Sequence, residues 1–196
     1  MDFRILGPLE AVVDGRTLEL GGARQRALFA ILLLRRNEIV PSDRLLEDLY
    51  GSVQPATAHK SLQAHVSRLR KLLDPDRLRT RGSGYVLEAR ADEVDADRFV
   101  SLLDEGRALL TAGDPKRAER PLEQALALWR GSPLDDVAYE EFAQAEIARL
   151  EELRIACLEA LCDARLALGR HAGLVSELEW VSDCAAVAGR SHKPHG

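Results

Sequence analysis

The chain is poor in the residues that usually carry catalysis or covalent bracing. Aromatics make up 5% of its 196 residues, and there are three cysteines, none in a CxxC pair. An odd, scattered cysteine count excludes a disulfide-stapled mini-protein. Cys157 and Cys162 are five apart on a helical stretch and face different ways; with Cys184, His171, His192 and His195 they give no metal-ligand spacing. Buried structural thiols are the expected reading. No glycine-rich phosphate loop, HExxH or GxSxG occurs, and the acidic pairs Asp135-Asp136 and Glu140-Glu141 have no companion base. No enzymatic activity, metal or cofactor is therefore expected. The strongest apolar run, residues 27–34, falls far short of the roughly 20 residues that cross a bilayer. The opening Met1-Asp2-Phe3-Arg4 has no basic-then-apolar leader, so the expectation is a cytoplasmic protein with reduced thiols and no membrane partner.

What is present is a core-forming share of apolar residues, 46%, beside 30% charged. That fits one large or two small packed domains and argues against disorder. The net charge of −5 conceals an asymmetry. Residues 1–90 hold 15 Lys+Arg against 11 Asp+Glu, whereas residues 91–196 hold 12 against 21. Between residues 60 and 81, seven basic side chains stand against two acidic ones. A basic stripe followed by an acidic module is the pattern of a protein whose first part alone touches a polyanion.

Phe3, Ile5 and residues 9–13 read as strands, Asp14-Gly15 as a two-residue hairpin, and Thr17, Leu18 and Leu20 as the returning strand. Gly21-Gly22 ends the sheet. Residues 23–36 read as a helix with a buried face of Ala27, Leu28, Ile31, Leu32 and Leu34. Residues 39–41 read as an extended link, and Ser42 as the N-cap of a second helix striped by Leu45, Leu46 and Leu49. A third helix is expected from Pro55, at its first position, to Leu73, stopped by Asp74-Pro75. Residues 78–80 and 85–88 flank Arg81-Gly82-Ser83-Gly84, a second hairpin. Together these make an α+β winged helix-turn-helix with an N-terminal antiparallel sheet. Residues 89–95 read as an inter-domain link. Beyond them strand signals vanish, and helices are expected at about residues 96–112, 115–130, 137–168 and 171–188, an all-α tetratricopeptide-like domain. Pro121 is expected to kink the second of these. The expected domains are a winged helix at 1–90, a helical domain at 95–178 and a divergent tail at 179–196.

On a helical wheel at about 100° per residue, Ala58, Leu62, Val66, Leu69 and Leu73 form the core face of the third helix. The opposite arc carries Thr57, Lys60, Ser61, Ala64, Ser67, Arg68 and Lys71, and residues 55–73 contain no acidic side chain. An ordinary exposed helix mixes Glu with Lys for i,i+4 pairing. Small residues interleaved with cations instead suit docking into a major groove: Ser61, Ala64 and Ser67 let the backbone approach, Arg68 reaches a guanine edge, and Lys60 and Lys71 meet phosphates. Gln63, His65 and Arg70 lie on the flanks, where backbone contact is expected. Arg81 at the hairpin tip suits the narrow minor groove, with Arg77 and Arg79 placed for phosphates.

Ala64-His65-Val66-Ser67-Arg68-Leu69-Arg70-Lys71-Leu72-Leu73, followed by Leu78-Arg79-Thr80-Arg81-Gly82-Ser83-Gly84-Tyr85, resembles the recognition helix and wing of OmpR/PhoB-type domains. The opening Phe3-Arg4-Ile5-Leu6-Gly7-Pro8-Leu9-Glu10 resembles the start of SARP-family regulators, the Streptomyces antibiotic regulatory proteins. Asp95-Ala96-Asp97-Arg98-Phe99 and Ala125-Leu126-Ala127-Leu128-Trp129-Arg130-Gly131 are similar to their bacterial transcriptional activator domain. The resemblance covers roughly residues 3–178; the pattern fades after about Leu178, which implies a shortened activator domain. By position it implies base reading by Ser61, Ala64, His65 and Arg68, a minor-groove Arg81, and backbone contacts by Lys60, Thr80 and Arg70. It also implies binding to direct repeats of double-stranded DNA near promoters, a homodimer on DNA, and contact with RNA polymerase and its sigma factor to activate secondary-metabolite genes. The alternatives are an operator competitor that does not activate, and a helical-repeat protein-interaction module. Since the sequence starts directly on the DNA-binding sheet, control by a phosphorylated receiver domain is not expected.

Overall fold

The computed structural model describes residues 1–170 apart from residue 75. The helix expected at 171–188 and the tail at 179–196 lie outside the described residues, as does Pro75. The chain forms two compact units: Met1–Arg98 with Leu128–Leu150, and Phe99–Ala127 with the described part of Glu151–Gly196.

The first unit opens with β1 (Asp2–Arg4), β2 (Glu10–Val13) and β3 (Arg16–Thr17), an antiparallel meander in that order. Asp14 and Gly15 both take positive φ (50° and 77°), the turn whose twist matches the flanking strands. The returning strand is shorter than expected; Leu18 adds one bond to the Ala11 carbonyl (2.8 Å) beyond it. α1 (Ala23–Leu34) is buried without a break from Ala27 to Leu33, because both the sheet and the later helices cover it. Phe29 on α1 meets Phe3 of β1 with ring centroids 5.8 Å apart.

Residues 39–41 are more than a link. Val40–Pro41 forms β4, antiparallel to β6 (Gly84–Leu87), with Val40 opposite Tyr85 and Pro41 opposite Gly84. With β5 (Leu78–Arg81) they make a sheet in the order β4-β6-β5. Ser42 is the first residue of α2 (Ser42–Tyr50), whose N-cap is Pro41. Its hydroxyl does not cap the helix as expected but donates to the Ser83 carbonyl (2.6 Å), alongside its own amide (3.0 Å). α3 (Ala58–Leu72) starts three residues later than expected. Pro55 lies in a turn closed by the Ala58 amide on its carbonyl (2.9 Å), which reverses the chain before the helix can begin.

Residues 128–150 complete this unit from far along the chain. The Arg130 amide donates to the Leu6 carbonyl (2.7 Å), the Leu134 amide to Ile5 (2.9 Å), and the Leu9 amide to the Asp136 carboxylate (2.5 Å). Helical periodicity predicts that α5 (Pro115–Leu126) runs on to 130 and that α6 (Glu141–Ala167) starts at 137, but these tertiary bonds take backbone groups a helix ladder would use. α5 accordingly ends at Leu126; Leu134 turns left-handed (φ 54°), residues 135–137 form a single 3-10 turn, and α6 begins at Glu141. Gly7 makes the approach feasible. Its φ is +153°, and a Cβ there would lie 2.9 Å from Arg130 Cβ. Gly7→Ala is expected to lower the unfolding free energy by roughly 1–3 kcal/mol, measured by urea denaturation.

The expected link at 89–95 is itself pinned to the first unit. Asn37 exchanges bonds with Ala89, Val94 bridges to Phe3, and buried Asp95 accepts the Ile5 and Leu6 amides (2.8 and 3.1 Å). Burial raises the Asp95 carboxyl above its ordinary value.

The second unit holds most of α4 (Asp95–Thr111), α5 (Pro115–Leu126) and the later part of α6 (Glu141–Ala167). Asp114 caps α5 by accepting the Arg117 amide (3.1 Å), and the helix continues through buried Pro121. Gly106 allows α4 and α5 to close up, since a Cβ there would stand 2.5 Å from Leu122 Cγ. Arg165 ties α6 to α5 through Glu119 and Glu123 (3.4 and 2.8 Å). Burial pushes the Cys157 thiol up to about 12, so it stays protonated at neutral pH; Cys162 is half-buried. Among the described residues, no helix is long and apolar enough to cross a membrane.

Candidate nucleic-acid interface

Ala58, Leu62, Val66 and Leu69 bury one face of α3, and Leu73 follows them into the core. That anchoring leaves Thr57, Lys60, Gln63, Ala64, Ser67, Arg68 and Lys71 exposed, with Ser61, His65 and Arg70 half-buried. The recognition arc expected from the wheel thus coincides with the solvent face. β5 and β6 form the adjacent hairpin, with Thr80 opposite Tyr85 and Arg81 opposite Gly84. Gly82 takes positive φ (54°) at the first turn position, and Thr80 and Arg81 are exposed beside it.

Pairing distinguishes this surface from the rest of the unit. Among the described residues, Lys60, Arg68, Lys71 and Arg81 have no carboxylate within salt-bridge distance. Arg4, Arg24, Arg26, Arg35, Arg36, Arg44, Arg77, Arg79, Arg90, Arg98, Arg130 and Arg149 each have one, and outside the surface only Arg16 lacks it. With Arg70, which bonds a carbonyl and a hydroxyl of the hairpin but no carboxylate, five uncompensated cations on one helix and its hairpin concentrate positive potential where a polyanion would dock. His65 adds no charge. Its Nδ1 is buried without a partner among the described residues, and burial, followed by the charge of Arg68, holds the imidazole below its ordinary 6.5.

Two arginines expected to meet phosphates are engaged elsewhere. Arg77 makes a two-point pair with Glu93, both bonds 2.6 Å, and reaches the Glu88 carbonyl. Arg79 pairs with Glu88 (3.3 Å) and the Asp76 carbonyl (2.8 Å). The reason is tertiary: Glu88 and Glu93 arrive on chain that follows the hairpin and neutralise its base. Arg70 points to the hairpin, donating to the Leu78 carbonyl (2.8 Å) and Thr80 Oγ1 (2.7 Å). Ser42 also supports the wing, through its bonds to the Ser83 carbonyl, although the sequence reads it only as a helix cap. A two-residue strand carries no alternation, so nothing local announces that β4 pairs with β6.

Glu93 is nearly fully buried, and the Arg77 bonds hold its carboxyl at about 2, down from an ordinary 4.5. A depressed acid stabilises the fold fully above its unfolded value and loses that contribution as pH falls towards the folded one. About 3 kcal/mol is therefore expected to disappear between pH 4.5 and 2. Urea denaturation across that interval should show it, and Glu93→Gln should flatten the acid limb while lowering stability at neutral pH.

A trihelical core with an exposed cationic third helix and an arginine-bearing hairpin defines the winged helix-turn-helix class. The family model described as "Transcriptional regulatory protein, C terminal" matches residues 15–87, and "Bacterial transcriptional activator domain" matches residues 94–193. The chain belongs to the SARP family of transcriptional regulators. It is 35% identical over 189 residues to Regulatory protein DnrI of Streptomyces peucetius, covering 91% of this chain and 70% of that protein. It is 38% identical over 177 residues to Regulatory protein AfsR of Streptomyces coelicolor, covering 90% of this chain but 18% of that one. Among solved structures it resembles Mycobacterium tuberculosis EmbR, solved with a low affinity phosphopeptide, at a TM-score of 0.87 and 34% identity, covering 92% of this chain and 49% of that one. The chain therefore spans under a fifth to some seventy per cent of the relatives it matches.

Proposed function

We propose that the protein is a sequence-specific transcriptional activator that seats α3 in the major groove and Arg81 in the neighbouring minor groove. Ser61, Ala64, His65, Ser67 and Arg68 face the bases, while Lys60, Lys71 and Thr57 face phosphates. The observation that supports this is that, among the described residues, Lys60, Arg68, Lys71 and Arg81 have no carboxylate within salt-bridge distance, in a unit where every other arginine except Arg16 and Arg70 has one. Bound copies on direct repeats near promoters would contact RNA polymerase and its sigma factor at genes such as those of secondary metabolism. The names of relatives such as Regulatory protein DnrI support regulation in general.

Selecting duplexes from a random-sequence pool with the full chain tests the reading. A repeated motif is the expected outcome, and enrichment no better than for bulk DNA would remove it. A promoter–reporter assay on the enriched motif then separates activation from simple operator occupancy. Lys60→Ala should weaken all duplexes alike and lower the salt slope of binding by about one, as loss of a phosphate contact does.

A further inference from the structure

We infer that Arg70 is a positioning residue for the wing, setting where Arg81 stands relative to α3, and not itself a phosphate contact. The inference rests on the reading of α3 and the hairpin as the DNA-binding surface. Arg70 sits in the last turn of α3. Its Nε donates to the Leu78 carbonyl (2.8 Å), its Nη2 donates to Thr80 Oγ1 (2.7 Å), and its guanidinium lies 5.9 Å from the centroid of the Tyr85 ring. These contacts reach both strands of the hairpin, Leu78 and Thr80 on β5 and Tyr85 on β6, and Thr80 and Tyr85 are register partners.

The topology explains why such a brace matters. In the order β4-β6-β5, β6 is held on both sides, and Ser42 also binds the Ser83 carbonyl. β5 is an edge strand with β6 on one side only, and it carries Arg81 at its end. Arg70 supplies the restraint on the other side, one residue before Arg81. A planar guanidinium suits this because it can bond two acceptors at fixed angles while its face lies over a ring. A lysine carries the same charge on a flexible stem and cannot reproduce that geometry. Lys60, Arg68, Lys71 and Arg81 show no comparable engagement with the hairpin among the described residues.

The test is a binding cycle on the full chain, using a duplex selected by the wild-type protein from a random pool. Arg81→Ala is expected to weaken binding about tenfold, and Arg70→Ala and Thr80→Val several-fold each. In the Arg81→Ala background the Arg70→Ala and Thr80→Val penalties should nearly vanish, because both act through Arg81. Hydrogen exchange on the free protein gives a readout without DNA: amides of residues 78–87 should exchange faster in Arg70→Ala and Thr80→Val but not in Arg81→Ala. Penalties that multiply in the double variants, unchanged exchange, or full rescue of affinity by Arg70→Lys would each overturn the positioning role alone. If Arg81→Ala leaves affinity intact, the minor-groove reading of the wing falls, and the role of Arg70 with it.

Discussion

Gly84→Ala is expected to unpair the wing from the strand before α2 and to lower stability by about 3 kcal/mol, at the upper end of the cost of overpacking. A Cβ at this position would lie 2.4 Å from the Val40 carbonyl oxygen, 2.9 Å from its carbon and 3.1 Å from Pro41 Cα. All three are backbone atoms, so no side chain can swing aside. Relief requires β4 to separate from β6, and the Ser42 bonds to Ser83 would go with it. Gly82 is the natural control. Nothing lies within 4 Å of a Cβ there, so Gly82→Ala should cost only the left-handed backbone strain, roughly 1–2 kcal/mol. Urea denaturation of the two variants, with amide exchange at Val40 and Tyr85, reads the difference. If Gly84→Ala proves no more damaging than Gly82→Ala, the close crossing of β4 over the hairpin is not what holds the wing.

Arg68→Ala is expected to lose about 1–3 kcal/mol of binding to a selected duplex, roughly a 5- to 150-fold drop, with folding stability unchanged to within about 0.5 kcal/mol. The side chain is exposed and pairs with no carboxylate among the described residues, so its removal leaves no buried partner behind. Its loss should fall on the selected sequence and hardly on bulk DNA, because a bidentate base contact carries sequence information and a phosphate contact does not. Arg68→Lys should not restore discrimination, since an ammonium lacks the forked donor pair. Competition binding with selected and random duplexes measures both components. Equal losses on the two would reassign Arg68 from base reading to the phosphate backbone.

The long periodic elements and the exposed, acid-free face of α3 could be read directly from residue order. Ala58, Leu62, Val66 and Leu69 recur at helical spacing, and the acid-free opposite face follows from the same wheel, so burial in the fold and exposure at the site were both implied. The two-residue turn at Asp14-Gly15 and the glycines of the wing were legible for a similar reason: their backbone demands are local. Pairings of low periodicity and long separation were not. β4 is too short to alternate, the base of the wing shows basic residues whose carboxylate partners lie beyond it, and residues 127–130 and 137–140 look helical by composition.

Amino-acid order alone therefore marked the described helices, though not their ends, together with the two hairpins and the face of α3 that stays free of acid, because helical period and turn chemistry act within a few residues. Folding in three dimensions decided which cations remain available. It drew Glu93 onto Arg77, turned Arg70 towards the wing, and brought residues 128–137 back onto Ile5, Leu6 and Leu9. Those outcomes depend on backbone and charged groups meeting across separations of 8 to 127 residues, beyond the reach of helical period and turn chemistry, where bond satisfaction in the packed structure outweighs local propensity.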